Sequence, residues 1–274
     1  MHLVEPKIFL LSRDVINTEE TLEWLEFNGV TEEKQEYWKD IIQENSPGSA
    51  LSTLAGKRCY MSFEVGLNPN VTKIRHDIVK FIDNILKTGH GSVLEHVKYT
   101  FAFENVSRVF TAELNRHRTG VAISEGSLRY IRYENLPVWI PRILQEGLDS
   151  ELQEDKKERS RHIFVKAFQQ MEENYHDLLV IWQDEMEKDF HTKKILTSMM
   201  RRIIGLGVAT GMVWSGNLRE LRHIISVRVD ASAEEEIAYV FSLVLKRMIE
   251  EEPEIFADFT QTEDGFWKPE YWKV

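Results

Sequence analysis

The fold is decided by the stretch Val97-Lys98-Tyr99-Thr100-Phe101-Ala102-Phe103-Glu104-Asn105-Val106-Ser107-Arg108-Val109-Phe110-Thr111-Ala112-Glu113-Leu114-Asn115-Arg116. Val97, Tyr99, Phe101 and Phe103 alternate with more polar residues, the period-2 pattern of a half-buried strand. Ser107 then predicts a helix cap, because its hydroxyl can accept from free N–H groups, and the helix runs through Val109 and Leu114 towards Arg116.

Outward from this stretch, the order of elements is mixed. Upstream, Val4–Ser12 reads as a strand and Glu19–Asn45 as one or two acidic helices, followed by a turn at Ser46-Pro47-Gly48. Ile74, Ile78, Phe81, Ile82, Ile85 and Leu86 predict a helix ending near Lys87, broken by Thr88–Ser92. Downstream, Thr119–Gly126 reads as a loop, Leu128–Tyr133 as a strand, and Pro137 and Pro141 bracket an extended piece. Asp149–Phe190 is charged and helical. Leu196–Ile204 reads as helical and Val208–Trp214 as extended. Asn217 is a candidate cap for a helix carrying Leu218 to Ile225. Ser232 with Glu235 forms a capping-box pattern before Ile237–Glu250. Such non-alternating order predicts an α+β fold, and no G-x-G-x-x-G supports a Rossmann site.

The chain has 274 residues and a formal net charge of −11. That charge disfavours nucleic acid as a partner, since such binding needs a basic face to displace counterions. No apolar run is long enough to span a bilayer, and the opening residues lack the pattern of a signal peptide, so the expectation is a cytoplasmic protein without membrane contact. Cys59 is the single cysteine. It excludes an intrachain disulfide or a cysteine-based metal cage, and it reads as a small buried hydrophobe rather than a nucleophile. His90 and His96 lack a third ligand at recognisable spacing, so no metal is expected.

Chemistry concentrates in Arg116-His117-Arg118-Thr119-Gly120-Val121-Ala122-Ile123-Ser124-Glu125-Gly126-Ser127-Leu128-Arg129-Tyr130. One arginine at a helix end is usually a solvated charge. Here three arginines, a histidine, two serines and a glutamate surround a glycine-containing loop. Guanidinium groups can grip phosphate oxygens bidentately while hydroxyl and loop N–H groups complete the shell. The local reading is a phosphate site for a small anionic ligand.

This stretch resembles the signature of flavin-dependent thymidylate synthases of the ThyX family, an Arg-His-Arg followed by Ser-x-Arg-Tyr. The resemblance extends to Gly89-His90-Gly91-Ser92-Val93-Leu94-Glu95-His96, to Ser62-Phe63, to Arg202, to Asn217-Leu218-Arg219 and to Arg228-Val229-Asp230-Ala231-Ser232. It implies a single ThyX-like domain over residues 51–252 with a helical elaboration. Residues 1–50 form an N-terminal extension and residues 253–274 a tail packed on the domain. It also implies a homotetramer with FAD at subunit interfaces, and NADPH and methylenetetrahydrofolate as co-substrates.

Residue by residue, the resemblance assigns FAD contacts to Ser62, His90, Ser92, Glu95, Arg116, His117, Arg118, Asn217, Arg219 and His223. Glu125 is shared between flavin and nucleotide. The substrate set is Glu113, Arg116, Glu125, Gly126, Ser127, Arg129, Arg202 and Arg228, with Arg129 and Arg202 chiefly on the dUMP phosphate. Arg228 matches the arginine facing the pyrimidine, where a fixed cation would stabilise charge on the uracil N3–O4 edge and activate C5 without a cysteine. The implied reaction is reductive methylation of dUMP to dTMP, with the hydride from reduced FAD. Three departures bear on this outcome, one being Ser124 in place of a frequent asparagine. The loop Thr119–Gly126 is one residue longer than the family pattern, and Glu113 stands where glutamine is common. An anionic Glu113 is unfavourable near a phosphate unless it turns to an arginine or a ribose hydroxyl. Hydroxymethylation of dUMP, methylation of UMP and a non-catalytic flavin- or nucleotide-binding role are the alternatives.

Overall fold

The computed structural model describes residues 1–131, 135–145 and 152–274. β1 (His2–Leu3) precedes β2 (Lys7–Arg13), in the segment that reads as a strand. The acidic stretch divides into α1 (Thr18–Phe27), capped by Asn17, and α2 (Glu32–Glu44). Ser46-Pro47-Gly48 is a helix start rather than a turn. Ser46 caps α3 (Pro47–Tyr60), and Pro47 sits in its first turn, where the missing N–H costs nothing. Cys59, in the last turn of α3, is exposed, contrary to expectation. The buried side of the helix is formed instead by Ala50, Leu54 and Lys57.

α4 (Ile78–Thr88) begins after the Asp77 cap and stops at Gly89, whose φ of 69° favours glycine. A short 3-10 turn, Gly91–His96, leads into β3 (Lys98–Ser107) and α5 (Arg108–Leu114). The Ser107 side chain accepts from Val109 N and Phe110 N, as the sequence implies. The expected loop Thr119–Gly126 contains β4 (Val121–Glu125), in which half-buried Val121, Ile123 and Glu125 alternate with exposed Ala122 and Ser124. Leu128–Tyr130 is a turn rather than a strand, and the end of that expected strand lies outside the described residues.

β5 (Pro137–Val138) pairs parallel with β1. The charged region forms α6 (Glu154–Ile181), α7 (Gln183–Lys188) and α8 (Phe190–Met200), closed by the 3-10 turn Arg201–Ile203. These helices share a small core of Tyr175, Met186 and Met200. β6 (Ala209–Asn217) delivers Asn217, whose side chain caps α9 (Leu218–Arg228) by accepting from Glu220 N. For α10 (Glu235–Glu251) the cap is Glu234. Ser232 bonds to Asp230 instead, so its capping-box pattern is not used. α11 (Pro253–Phe256) and the hairpin of β7 (Phe259–Gln261) and β8 (Trp267–Pro269) follow.

The central sheet has the order β2-β3-β6-β4 with every pair antiparallel, as an α+β fold requires. Tyr99, Phe101 and Phe103 project from β3 into the main core, joined by Trp214, Phe110 and Phe241. Burying such side chains stabilises by about 1.5–3 kcal/mol each, which makes β3 and β6 the rigid frame on which α5 and α9 are mounted. Two buried carboxylates fasten that frame. Glu252 accepts from Tyr99, Ser46, Gly48 N and Ser49 N. Glu236 accepts from Ser107 N at 2.6 Å and from the Ser107 hydroxyl.

Candidate functional site

α5 and α9 follow β3 and β6 directly, so both helices start from neighbouring strands of one sheet. At the far ends of these helices lies the first constellation. Arg228 Nη1 donates to Glu113 Oε2 at 2.9 Å, and Arg228 Nε donates to His117 Nε2 at 3.0 Å. Glu113 has thus turned to an arginine, the arrangement that removes its conflict with a phosphate. His117 is pushed down to about 4 by burial, then by the charge of Arg228 and by His223. It is neutral at pH 7, and its Nε2 is an acceptor. The His117 and His223 rings meet edge to face at 6.1 Å between centroids. Arg116 and Arg118 are exposed. Gly120, at φ 65°, passes so close to Asn217 that a Cβ would stand 2.5 Å from Nδ2.

A second constellation starts from the other end of α5. Arg108 donates to Glu125 Oε1 at 2.7 Å and to the Gly126 carbonyl at 2.8 Å, while Thr111 donates to the same Glu125 oxygen at 3.0 Å. Gly126 N donates to Gly211 O, which ties this end of β4 to β6. The result is a cavity of about 520 Å³ lined by Arg108, Glu125, Gly126, Ser127, Leu128, Arg201 and Arg202, among others. Three arginines, a hydroxyl and one glutamate already engaged by arginine make this a site for an anion. Arg108 Nε is buried and has no hydrogen-bond partner among the described residues.

The remaining expected residues lie elsewhere. Glu95 accepts from Arg219 Nη1 at 2.5 Å, and Arg219 Nε donates to the carbonyl of Val274. Arg219, His223, Gly89 and Trp272 line a cavity of about 550 Å³. His90 and Ser92 line another, of about 350 Å³, with Cys59, Tyr60 and Phe81. Ser62 bonds back to Lys57 O. Arg129 lines a cavity against α8. One protomer therefore brings Arg228, Glu113, His117 and His223 together, and separately Glu125, Gly126, Ser127 and Arg202. It does not gather the whole set into a single cavity. Among the described residues no group of three or more His, Cys, Asp or Glu is placed to hold a metal ion.

Sequence reasoning did not single out Arg108 and Arg201, which line the candidate anion cavity. A signal existed for Arg108: as the first residue of α5 it opposes the helix dipole, an unfavourable place for a cation without an acid to meet it.

The sequence model of the family described as "Thymidylate synthase complementing protein" matches residues 40–254. The chain is 29% identical over 222 residues to a flavin-dependent thymidylate synthase of Mycobacterium leprae, covering 78% of this chain and 81% of that protein. A flavin-dependent thymidylate synthase of Corynebacterium efficiens is 28% identical over 213 residues, with coverage of 77% and 79%. Among solved structures, the UMP/dUMP methylase PolB from Streptomyces cacaoi, bound with 5-Br dUMP, has a similar fold. Its TM-score is 0.63 at 16% identity, covering 94% of this chain and 96% of that one.

Proposed function

This chain belongs to the thymidylate synthase complementing protein family, and from that premise we propose that it is a flavin-dependent thymidylate synthase that methylates dUMP to dTMP. Methylenetetrahydrofolate is the carbon donor, FAD the cofactor and NADPH the source of electrons. The observation that carries this reading is the fixed guanidinium of Arg228, anchored by Glu113 and neutral His117. Uracil C5 is a poor nucleophile, and a preset cation at the ring edge where negative charge develops activates it, an effect often worth about 3–4 kcal/mol per donor. The single cysteine sits in α3, away from these residues in sequence and without a motif around it.

Dinucleotide chemistry fits the residues present. Arg116 and Arg118 are exposed and enter no ion pair among the described residues, as suits a diphosphate. His90 and Ser92 line a largely apolar cavity beside Tyr60 and Phe81, as suits a flat ring. When bound, reduced FAD supplies the hydride that completes the methyl group. Arg219, His117 and His223, with Glu95, Glu125, Asn217 and Ser62, are the further residues assigned to it. Ser127, Arg202 and Arg129 hold the nucleotide phosphate, with Gly126 in the same loop and Arg108 fixing Glu125. The separation of these clusters within one protomer supports a site completed between copies in a homotetramer.

A second reading keeps the site and changes the nucleotide or product, to UMP or to a hydroxymethyl group. Glu113 favours UMP, because its Oε1, which Arg228 does not take, can accept from a 2′-hydroxyl that dUMP lacks. The test is the mass of the nucleotide formed anaerobically by the FAD-loaded protein with dUMP or UMP, methylenetetrahydrofolate and NADPH. A gain of CH2 on dUMP establishes thymidylate synthesis. A gain of CH2O, or a preference for UMP, selects the second reading. No product with confirmed flavin reduction overturns both.

A further inference from the structure

A cavity of about 250 Å³ separates the Arg129–Tyr130 turn from α8, lined by Arg129, Tyr130, Phe190, Lys193, Lys194 and Thr197. Three of these six side chains carry a positive charge and two are aromatic. The Arg129 guanidinium lies 5.3 Å from the centre of the Tyr130 ring. Among the described residues no ion pair engages Arg129, Lys193 or Lys194, whereas Arg108, Arg222 and Arg228 each have a carboxylate. Asp189, at the head of α8, is committed to its own helix, accepting from Thr192 N at 2.8 Å and Thr192 Oγ1 at 2.7 Å. The Thr197 hydroxyl is likewise spent on Lys193 O at 2.8 Å. Among the described residues, the donors left to line the cavity are the cations and the Tyr130 hydroxyl. In a chain of net charge −11, such an uncompensated group attracts an anion.

Position narrows the choice of anion. Ser127 and Leu128 line the 520 Å³ cavity, and the next two residues, Arg129 and Tyr130, line this one. Thr197 in this cavity and Arg201 in the other are four residues apart on one continuous helical run, roughly 6 Å along the axis. With Ser127, Arg202 and Arg129 on the nucleotide phosphate, the lysines of α8 are left unused. They call for a second anionic group, and the rings of Tyr130 and Phe190 offer flat apolar surface for whatever carries it.

We propose that this cavity is a second anion subsite, which takes the multiply charged arm of a co-substrate beside the nucleotide. The inference rests on reading the neighbouring cavity as the nucleotide-phosphate site. The chemistry is shared by two sources, the γ-linked carboxylates of a polyglutamyl folate and the phosphates of a nicotinamide dinucleotide.

The test uses the FAD-loaded protein and its Lys193→Gln/Lys194→Gln variant. Binding of tri-γ-glutamate and of 2′,5′-ADP is measured by calorimetry at low and high KCl. Alongside, KM is measured for pentaglutamyl and monoglutamyl methylenetetrahydrofolate and for NADPH. The expected result is that one probe binds, weakens with salt, and loses about tenfold in affinity in the variant, as the removal of two partly exposed ion pairs allows. Tri-γ-glutamate binding, with a penta- to monoglutamate KM ratio that approaches one in the variant, identifies the folate arm. 2′,5′-ADP binding with a raised KM for NADPH identifies the dinucleotide. Binding of neither probe, or affinities that the variant leaves unchanged, overturns the subsite. If the wild-type protein forms no product yet binds a probe in the lysine-dependent way, the enzymatic reading fails and the subsite stands.

Discussion

Arg228 and His117 are joined by a single hydrogen bond, from the guanidinium Nε to the imidazole Nε2 across 3.0 Å. An imidazolium has no lone pair to accept it, so the bond selects the neutral ring with its proton on Nδ1. Glu113 takes Nη1 on the other side. The guanidinium plane is set from two directions by residues that lie 111 and 115 positions away in the chain.

Arg228→Ala is expected to lower turnover by about 10²–10³-fold, the usual cost of removing one preset donor from a developing anion. Arg228→Lys should not restore it, because one ammonium cannot satisfy Glu113 and His117 together while holding a planar orientation. Single-turnover product formation at saturating nucleotide is the measurement, with dUMP affinity determined separately. Activity of the lysine variant within tenfold of the wild type would remove the catalytic role of the guanidinium.

The His117 geometry also carries a signed pH dependence. Its value is about 4 in the folded protein against 6.5 for an unperturbed histidine, so the unfolded chain binds the extra proton first. The stability contributed by the neutral ring is complete above pH 6.5 and is lost as pH falls towards 4. Glu236 runs the other way. Burial pushes it up to about 7 from 4.5, although the Ser107 hydrogen bonds oppose this. Its protonated form favours folding fully below pH 4.5, and that contribution is lost as pH rises through 7. The two slopes oppose each other across one window. His117→Gln is therefore expected to make stability fall with rising pH between 4.5 and 7 relative to the wild type, and Glu236→Gln to make it rise. Each swing is about 1–3 kcal/mol. Urea unfolding at pH 4 to 8 checks it, and parallel profiles for all three proteins would contradict the assignments.

Which parts of this arrangement are legible without coordinates follows from range. The β3 pattern is carried by large aromatic residues at period 2, and the Ser107 and Asn217 caps are local chemistry, so all three can be read directly. β4 hides because it pairs on one side only and its exposed face holds Ala122 and Ser124, which resemble loop residues. Ser46-Pro47-Gly48 misleads because the residues that favour turns also start helices. In the site, Arg-His-Arg and Ser127-Leu128-Arg129 stand out as a local density of charge. The Glu113–Arg228 pair has no local signature, and Arg108 and Arg201 look like ordinary solvated arginines until their partners and cavity are seen.

Arg108 gives the third prediction. Arg108→Met keeps the apolar stem but leaves Glu125 Oε1 and the Gly126 carbonyl without their guanidinium. The carboxylate, facing the anion cavity uncompensated, then repels the ligand it now borders. Nucleotide affinity is expected to fall about tenfold or more, consistent with loss of one charge-assisted bond of roughly 1.5–3 kcal/mol. Calorimetric titration with dUMP measures it. Glu125→Gln in the same background should recover part of the loss, and failure to do so would point to loop collapse rather than charge.

The tail supplies the last prediction through Arg222. This side chain is 2% exposed and binds both oxygens of Asp258, at 2.8 and 2.6 Å, together with the carbonyls of Ile255 and Tyr271. The rings of Phe256 and Phe259 flank it. Arg222→Leu strands a buried carboxylate, an error that typically costs about 3–5 kcal/mol, whereas Arg222→Leu with Asp258→Leu removes both charges and should recover much of that. The consequence extends to residues proposed for the flavin, because Val274 accepts from Arg219, and Trp272 lines the same cavity as Arg219 and His223. Releasing the tail should weaken flavin retention as well as lower Tm. Arg247→Ala, which breaks a more exposed pair with Glu251 on α10, should do neither by more than a small margin. Thermal melts, limited proteolysis after Phe256 and flavin absorbance after gel filtration read the three effects. A destabilised Arg222→Leu protein that keeps its flavin would mean that the tail closes the fold without contributing to the site.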